Sequence, residues 1–117
     1  QVTYHNYEGL ANEADEAPRI LHDLGDKYTM IMRNHGLLSV GRTVPEAIAY
    51  MDRLVGACEI QERVLAANHA TPRPLPQKVC EHTAAQMAAR AGNKPLGDIE
   101  FQASFRRQLR ADPSFTH

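Results

Sequence analysis

Apolar residues fall into two spacings along this chain, and the spacings divide it into short strands and longer helices. A strand is expected over residues 2–5, closed by the polar turn Asn6-Tyr7-Glu8-Gly9. A helix is expected over 16–24, where Ala17, Ile20, Leu21 and Leu24 repeat at i, i+3, i+4 and i+7. Gly25 follows and suits the C′ position, where a positive φ costs glycine nothing. Residues 28–32 are the most strand-like: Met30, Ile31 and Met32 are apolar on consecutive positions, so both faces of the pleat are apolar and the strand is expected inside a covered sheet. Residues 37–40 repeat that pattern after Arg33-Asn34-His35-Gly36, a break short enough for an antiparallel hairpin and too short for a parallel crossover.

The longest helix is expected over 43–68. Thr43 stands as N-cap with Glu46 three residues on, the spacing of a reciprocal capping box, and Pro45 falls in the first turn, where it is tolerated. Val44, Ala47, Ile48, Met51, Leu54, Val55, Cys58 and Leu65 mark its apolar face. The run Thr71-Pro72-Arg73-Pro74-Leu75-Pro76 is a stiff extended connector. Beyond it, weaker helices are expected over 77–91, stopped by Gly92, and over 99–110, where Phe101, Phe105 and Leu109 align. These are expected to pack on the periphery or on a neighbouring subunit. The elements divide one domain into a sheet-and-long-helix core over 1–70 and peripheral helices with a tail over 71–117.

A length of 117 residues fits one core, burying roughly 65% of the unfolded chain's surface, so neither disulfides nor a metal are needed to fold. Thirteen Lys and Arg balance fourteen Asp and Glu, and no basic stripe is present to follow a phosphate backbone, so nucleic acid is not an expected partner. No apolar run approaches a membrane span of about 18 residues, and no membrane partner is expected. Cys58 and Cys80 lack CxxC spacing. Both are expected as buried free thiols, which points to a reducing, cytoplasmic setting. The first residues, Gln-Val-Thr-Tyr, lack an initiator Met and enter a strand at once, as in a chain that is part of something longer.

Six histidines stand at positions 5, 22, 35, 69, 82 and 117, with no HxH or HxxxH pair. His22, His69, His82 and His117 read as solvated or helix-end residues, and His5 only slightly better. The carboxylate pairs Asp15/Glu16 and Asp23/Asp26 read as caps or solvated surface. His35 differs, because it leaves a buried strand between Asn34, which tolerates the left-handed region, and Gly36, which admits close approach of a ligand or backbone. From the residues alone it is equally a turn with a polar tip and a site. A catalytic zinc needs about three protein ligands and an open position, and one well-placed histidine does not meet that count. No Gly-x-Ser-x-Gly elbow, activated cysteine or GxGxxG loop offers another chemistry.

The stretch from Tyr4 to Gly9, the Leu24-Gly25-Asp26 turn, the run Met32-Arg33-Asn34-His35-Gly36-Leu37-Leu38-Ser39-Val40-Gly41-Arg42-Thr43, then Glu46-Ala47 and Ala57-Cys58-Glu59-Ile60-Gln61 together resemble the class II aldolase/adducin family. The resemblance covers residues 1–70 well and 71–110 loosely, and Asp112-Pro113-Ser114 is similar to that family's tail. It implies a three-layer α/β/α fold with a mixed, largely antiparallel sheet, of which this chain is an incomplete, C-terminal portion, and assembly as a homotetramer. It makes His35 a metal ligand, the last of three zinc-binding histidines; the other two and the acid/base glutamate would lie upstream of Gln1. The implied function is a zinc-dependent lyase whose metal stabilises an enediolate during aldol cleavage, epimerisation or decarboxylation of a sugar-like or hydroxy-carbonyl substrate. On that reading the present chain is inactive alone and has its own upstream segment as a partner. The alternative is an adducin-like assembly module without metal, which retention of His35 disfavours.

Overall fold

A computed structural model describes residues 2–9, 16–67, 72–91 and 96–116. In chain order they form β1 (Thr3–His5), α1 (Glu16–Leu24), β2 (Thr29–Met32), β3 (Gly36–Ser39), α2 (Val44–Ala66), α3 (Gln77–Ala91) and α4 (Asp98–Ala111), then a 3₁₀ turn over Ser114–Thr116. The expected helix end at Asn68 and the stop at Gly92 lie outside the described residues, as do Asp15, His69 and His117. None of the described helices is long and apolar enough to cross a membrane.

The three strands make one sheet in the order β1-β2-β3. β1 runs parallel to β2, pairing Thr3 with Met30 and His5 with Met32, so β1, α1 and β2 form a crossover unit. β2 and β3 pair antiparallel, Met30 opposite Leu38 and Met32 opposite Gly36, as the short break demands. The expected α/β class and mixed sheet are present. Antiparallel pairing does not predominate among the described strands, since one pair is of each kind.

Met30, at the centre of the middle strand, is wholly buried, and Leu24, Ala49 and Leu54 complete the apolar core. Ile31 and Met32 are only half-buried, so the expected cover on both faces is incomplete. Ile31 lies in register with Tyr4 and Leu37, and Tyr4 is exposed, so that row lacks a full apolar layer over it among the described residues.

The helices have close to the expected extents, but on α1 and at the start of α2 the buried side is displaced. On α1, Leu21 and Ala17 are exposed while Glu16 and Leu24 are buried, because the helix turns its acidic edge toward β1. Gly25 closes it with φ 57°, its N–H bonded to the Leu21 carbonyl. On α2 the Thr43 hydroxyl accepts the Glu46 N–H at 3.3 Å, forming half of the expected capping box. The reciprocal bond goes elsewhere: Glu46 Oε2 accepts the Arg42 backbone N–H at 2.7 Å, and its carboxylate also takes the Arg42 guanidinium. Glu46 is almost fully buried as a result, while Val44, Ile48, Val55 and Leu65 of the expected apolar face are exposed.

Two close approaches fix the α2 start. A Cβ on Gly41 would sit 2.5 Å from the Ala47 nitrogen, and one on Gly97, held at φ 83°, would sit 2.5 Å from the Ala49 Cβ. The second contact seats α4 on α2. Phe101, Phe105 and Phe115 then form a short aromatic chain, with centroids 6.3 and 5.6 Å apart. The described side chains of α3 are all exposed.

Candidate functional site

The β2–β3 hairpin presents His35 at its tip. Its N–H closes the turn on the Met32 carbonyl at 3.1 Å, and Asn34 takes the left-handed conformation, φ 55°, as its short polar side chain allows. The imidazole is exposed and makes no side-chain hydrogen bond among the described residues. Gly36 has open space beside it, with nothing within 4 Å of an added Cβ, so no protein atom makes the close approach expected there. His35 belongs to no group of three metal-ligating side chains among the described residues. Next to it, Arg33 lies 4.9 Å above the Tyr4 ring and continues the β1–β2 pairing through its N–H to the His5 carbonyl.

The second feature at this end of the sheet is His5, and sequence reading undervalued it. Strand alternation turns its ring inward, where it is 2% exposed. Nδ1 lies 2.8 Å from Asp23 Oδ2, and Nε2 lies 3.8 Å from Glu16 Oε1. Glu16 and Asp23 share one face of α1, seven residues apart, a spacing visible in the sequence but assigned there to caps and solvent. That assignment is corrected for both, because Glu16 is buried and Asp23 partners His5. The imidazole beside Asp23 holds its carboxyl below the ordinary value, and the exposed His22, 3.2 Å away, adds to the effect. Glu8, three residues past His5, is tied to Arg19 at 2.6–2.7 Å through Oε2.

Other candidates contribute little. His22 and His82 are exposed, as expected. Cys58 is half-buried and Cys80 exposed, so only the expectation that they are free holds; α3 gives Cys80 no cover. A cleft of about 390 Å³ lies at the far end of β2, between the stacked rings of Tyr28 and Tyr50 and the Glu81 side of α3. It contains no histidine, and Asp26, Lys27, Thr29 and Glu81 join the two tyrosines in lining it.

Comparison with known proteins bears on this geometry. The profile of the family described as Class II Aldolase and Adducin N-terminal domain matches residues 1–62. Rat alpha-adducin is 37% identical over 116 residues, 91% of this chain and 16% of that protein. A Caulobacter vibrioides protein assigned to aldolase class 2 is 32% identical over 98% of this chain and 44% of its own length. The crystal structure of an aldolase II superfamily protein from Pseudomonas syringae superimposes with a TM-score of 0.77 at 40% identity, over 94% of this chain and 43% of that one. The chain thus spans less than half the length of each of these relatives.

Proposed function

Because the chain belongs to the class II aldolase/adducin family, we propose that it is part of a metal-dependent lyase in which His35 supplies one imidazole to a divalent cation, zinc by preference. The observation that carries this reading is the placement of His35: exposed, its ring without a partner among the described residues, and its turn set by the left-handed Asn34. An imidazole so placed has a lone pair to give.

The described residues meet the requirements of such an ion only in part. A catalytic zinc takes about three protein ligands, and one converges here, so the remaining donors would come from outside these residues. When bound, such an ion supplies Lewis-acid polarisation of substrate oxygens. The chain's own contribution is to keep His35 solvent-facing and fixed relative to the sheet, with the Arg33–Tyr4 contact bracing the turn. A sugar-like or hydroxy-carbonyl substrate, a three-layer arrangement and tetrameric assembly belong to the same proposal. The test is aldol-cleavage activity of the intact protein on a panel of phosphorylated and free hydroxy-carbonyl sugars. Activity should require added metal and vanish in His35→Ala, but persist in His22→Ala; equal activity in His35→Ala would refute the assignment.

The similarity to alpha-adducin favours a second reading, an assembly module without metal. Exposed Val44, Ile48, Ile60 and Leu65 along α2 suit cover by another chain. A metal-free, inactive oligomer on light scattering of the natively purified protein would support this reading over the lyase.

A further inference from the structure

Between the end of β1 and the start of α1 lies a cluster that the hairpin site does not use. One ligand atom each from His5, Glu8 and Glu16 lies within 4.8 Å of the others. We propose that these three side chains bind a first-row divalent transition metal that pins α1 to β1, with Asp23 as the positioning residue for His5.

His5 Nε2 is buried and has no hydrogen-bond partner among the described residues. Its other nitrogen faces Asp23 Oδ2 at 2.8 Å, the geometry of an Nδ1–H donating to a carboxylate. In that tautomer Nε2 bears a bare lone pair, and it points at the Glu16 carboxylate, whose side chain is 9% exposed. Two electron pairs 3.8 Å apart in a buried space need something positive between them. A carboxylate that orients a histidine through one nitrogen while the other ligates a metal is a recurrent support for such ligands.

Charge favours a divalent ion over a single proton. Among the described residues, and with a neutral imidazole, Glu8, Glu16 and Asp23 carry three negative charges, and Arg19, which reaches Glu8, carries one positive charge. The remaining two match a divalent cation, whereas protonation of His5 would cancel only one. Arg19 Nε and Nη2 both reach Glu8 Oε2. Metal–ligand bonds of about 2.0–2.2 Å require donors somewhat closer than they now stand, an adjustment of roughly an ångström that the exposed Glu8 can make. One imidazole with two carboxylates is a borderline set that suits zinc, cobalt or manganese better than calcium or magnesium.

The inference is independent of the lyase reading, and its test separates the two. Protein stripped with a chelator is titrated with Co²⁺ and then Zn²⁺, following d–d absorption and the melting temperature. One equivalent of Co²⁺ should bind without a thiolate charge-transfer band, be displaced by Zn²⁺, and raise the melting temperature. Glu16→Gln and His5→Gln should weaken that equivalent at least tenfold, and Asp23→Asn by about 10–100-fold, while His35→Ala leaves it in place. Circular dichroism of Glu16→Gln controls for folding. Equal affinity in wild type and folded Glu16→Gln would overturn the proposal, as would a lone equivalent lost only in His35→Ala. So would a nitrogen NMR spectrum showing His5 doubly protonated at neutral pH in the presence of saturating metal.

Discussion

Glu46 carries the most testable energetic claim in the fold. Its buried carboxylate accepts the Arg42 backbone N–H at 2.7 Å and the guanidinium at 2.9 and 3.1 Å. It thereby joins the β3 exit to the first turn of α2. Glu46→Gln keeps the volume but turns an NH₂ group toward donors and removes the charge. One lost charge-assisted hydrogen bond to a backbone donor is worth about 1.5–3 kcal/mol; the exposed Arg42 side chain adds little, because solvent screens it. The expected destabilisation at pH 7 is therefore about 2–3 kcal/mol, read as a lower urea midpoint at unchanged slope. The hydrogen bonds from Arg42 hold the Glu46 carboxyl below its ordinary value of 4.5. A lowered folded value means the contribution is fully present above the ordinary carboxylate range and is lost as pH falls through the lowered value. The gap between wild type and variant should thus be constant above about pH 5 and close in more acidic solution. A gap under about 0.5 kcal/mol at pH 7, or one that does not narrow on acidification, would refute the reasoning.

Two further outcomes follow from packing. Gly97→Ala places a Cβ 2.5 Å from Ala49 Cβ and 2.6 Å from the Pro45 carbonyl at a φ of 83°, so it should cost about 1–3 kcal/mol in thermal or urea melts and loosen α4 from α2. Burial raises the Tyr50 hydroxyl above its ordinary 10.0, so in ultraviolet titration one tyrosine should ionise after the rest and revert in Tyr50→Phe. The corresponding stability is present below pH 10.0 and lost as pH rises through the elevated value.

Local signals in the sequence were strong enough to bound the elements. Gly25, Thr43 with Pro45, and the four-residue break before Leu37 each end or begin an element through backbone chemistry confined to a few residues. Which side of each helix is buried was less legible, because that depends on partners distant in sequence. Periodicity counted Leu21 and Val44 as core, yet both are exposed, while Glu16 and Glu46 are buried through His5 and Arg42. A buried carboxylate is invisible to a hydrophobic pattern unless its counter-group is also placed. For the same reason His35 was legible, since its turn is encoded by its immediate neighbours Asn34 and Gly36. His5 was not, since its surroundings come from a helix 11 to 18 residues downstream. The parallel pairing of β1 with β2 also lay beyond reach, because a three-residue strand has too few positions to announce its direction.

Metal analysis of the natively purified protein, wild type beside His35→Ala, tests most directly whether the hairpin histidine is a ligand. His35→Ala should lose one equivalent of zinc per subunit while its circular dichroism and any metal held by His5 and Glu16 stay unchanged. Identical zinc content in the two proteins would contradict it.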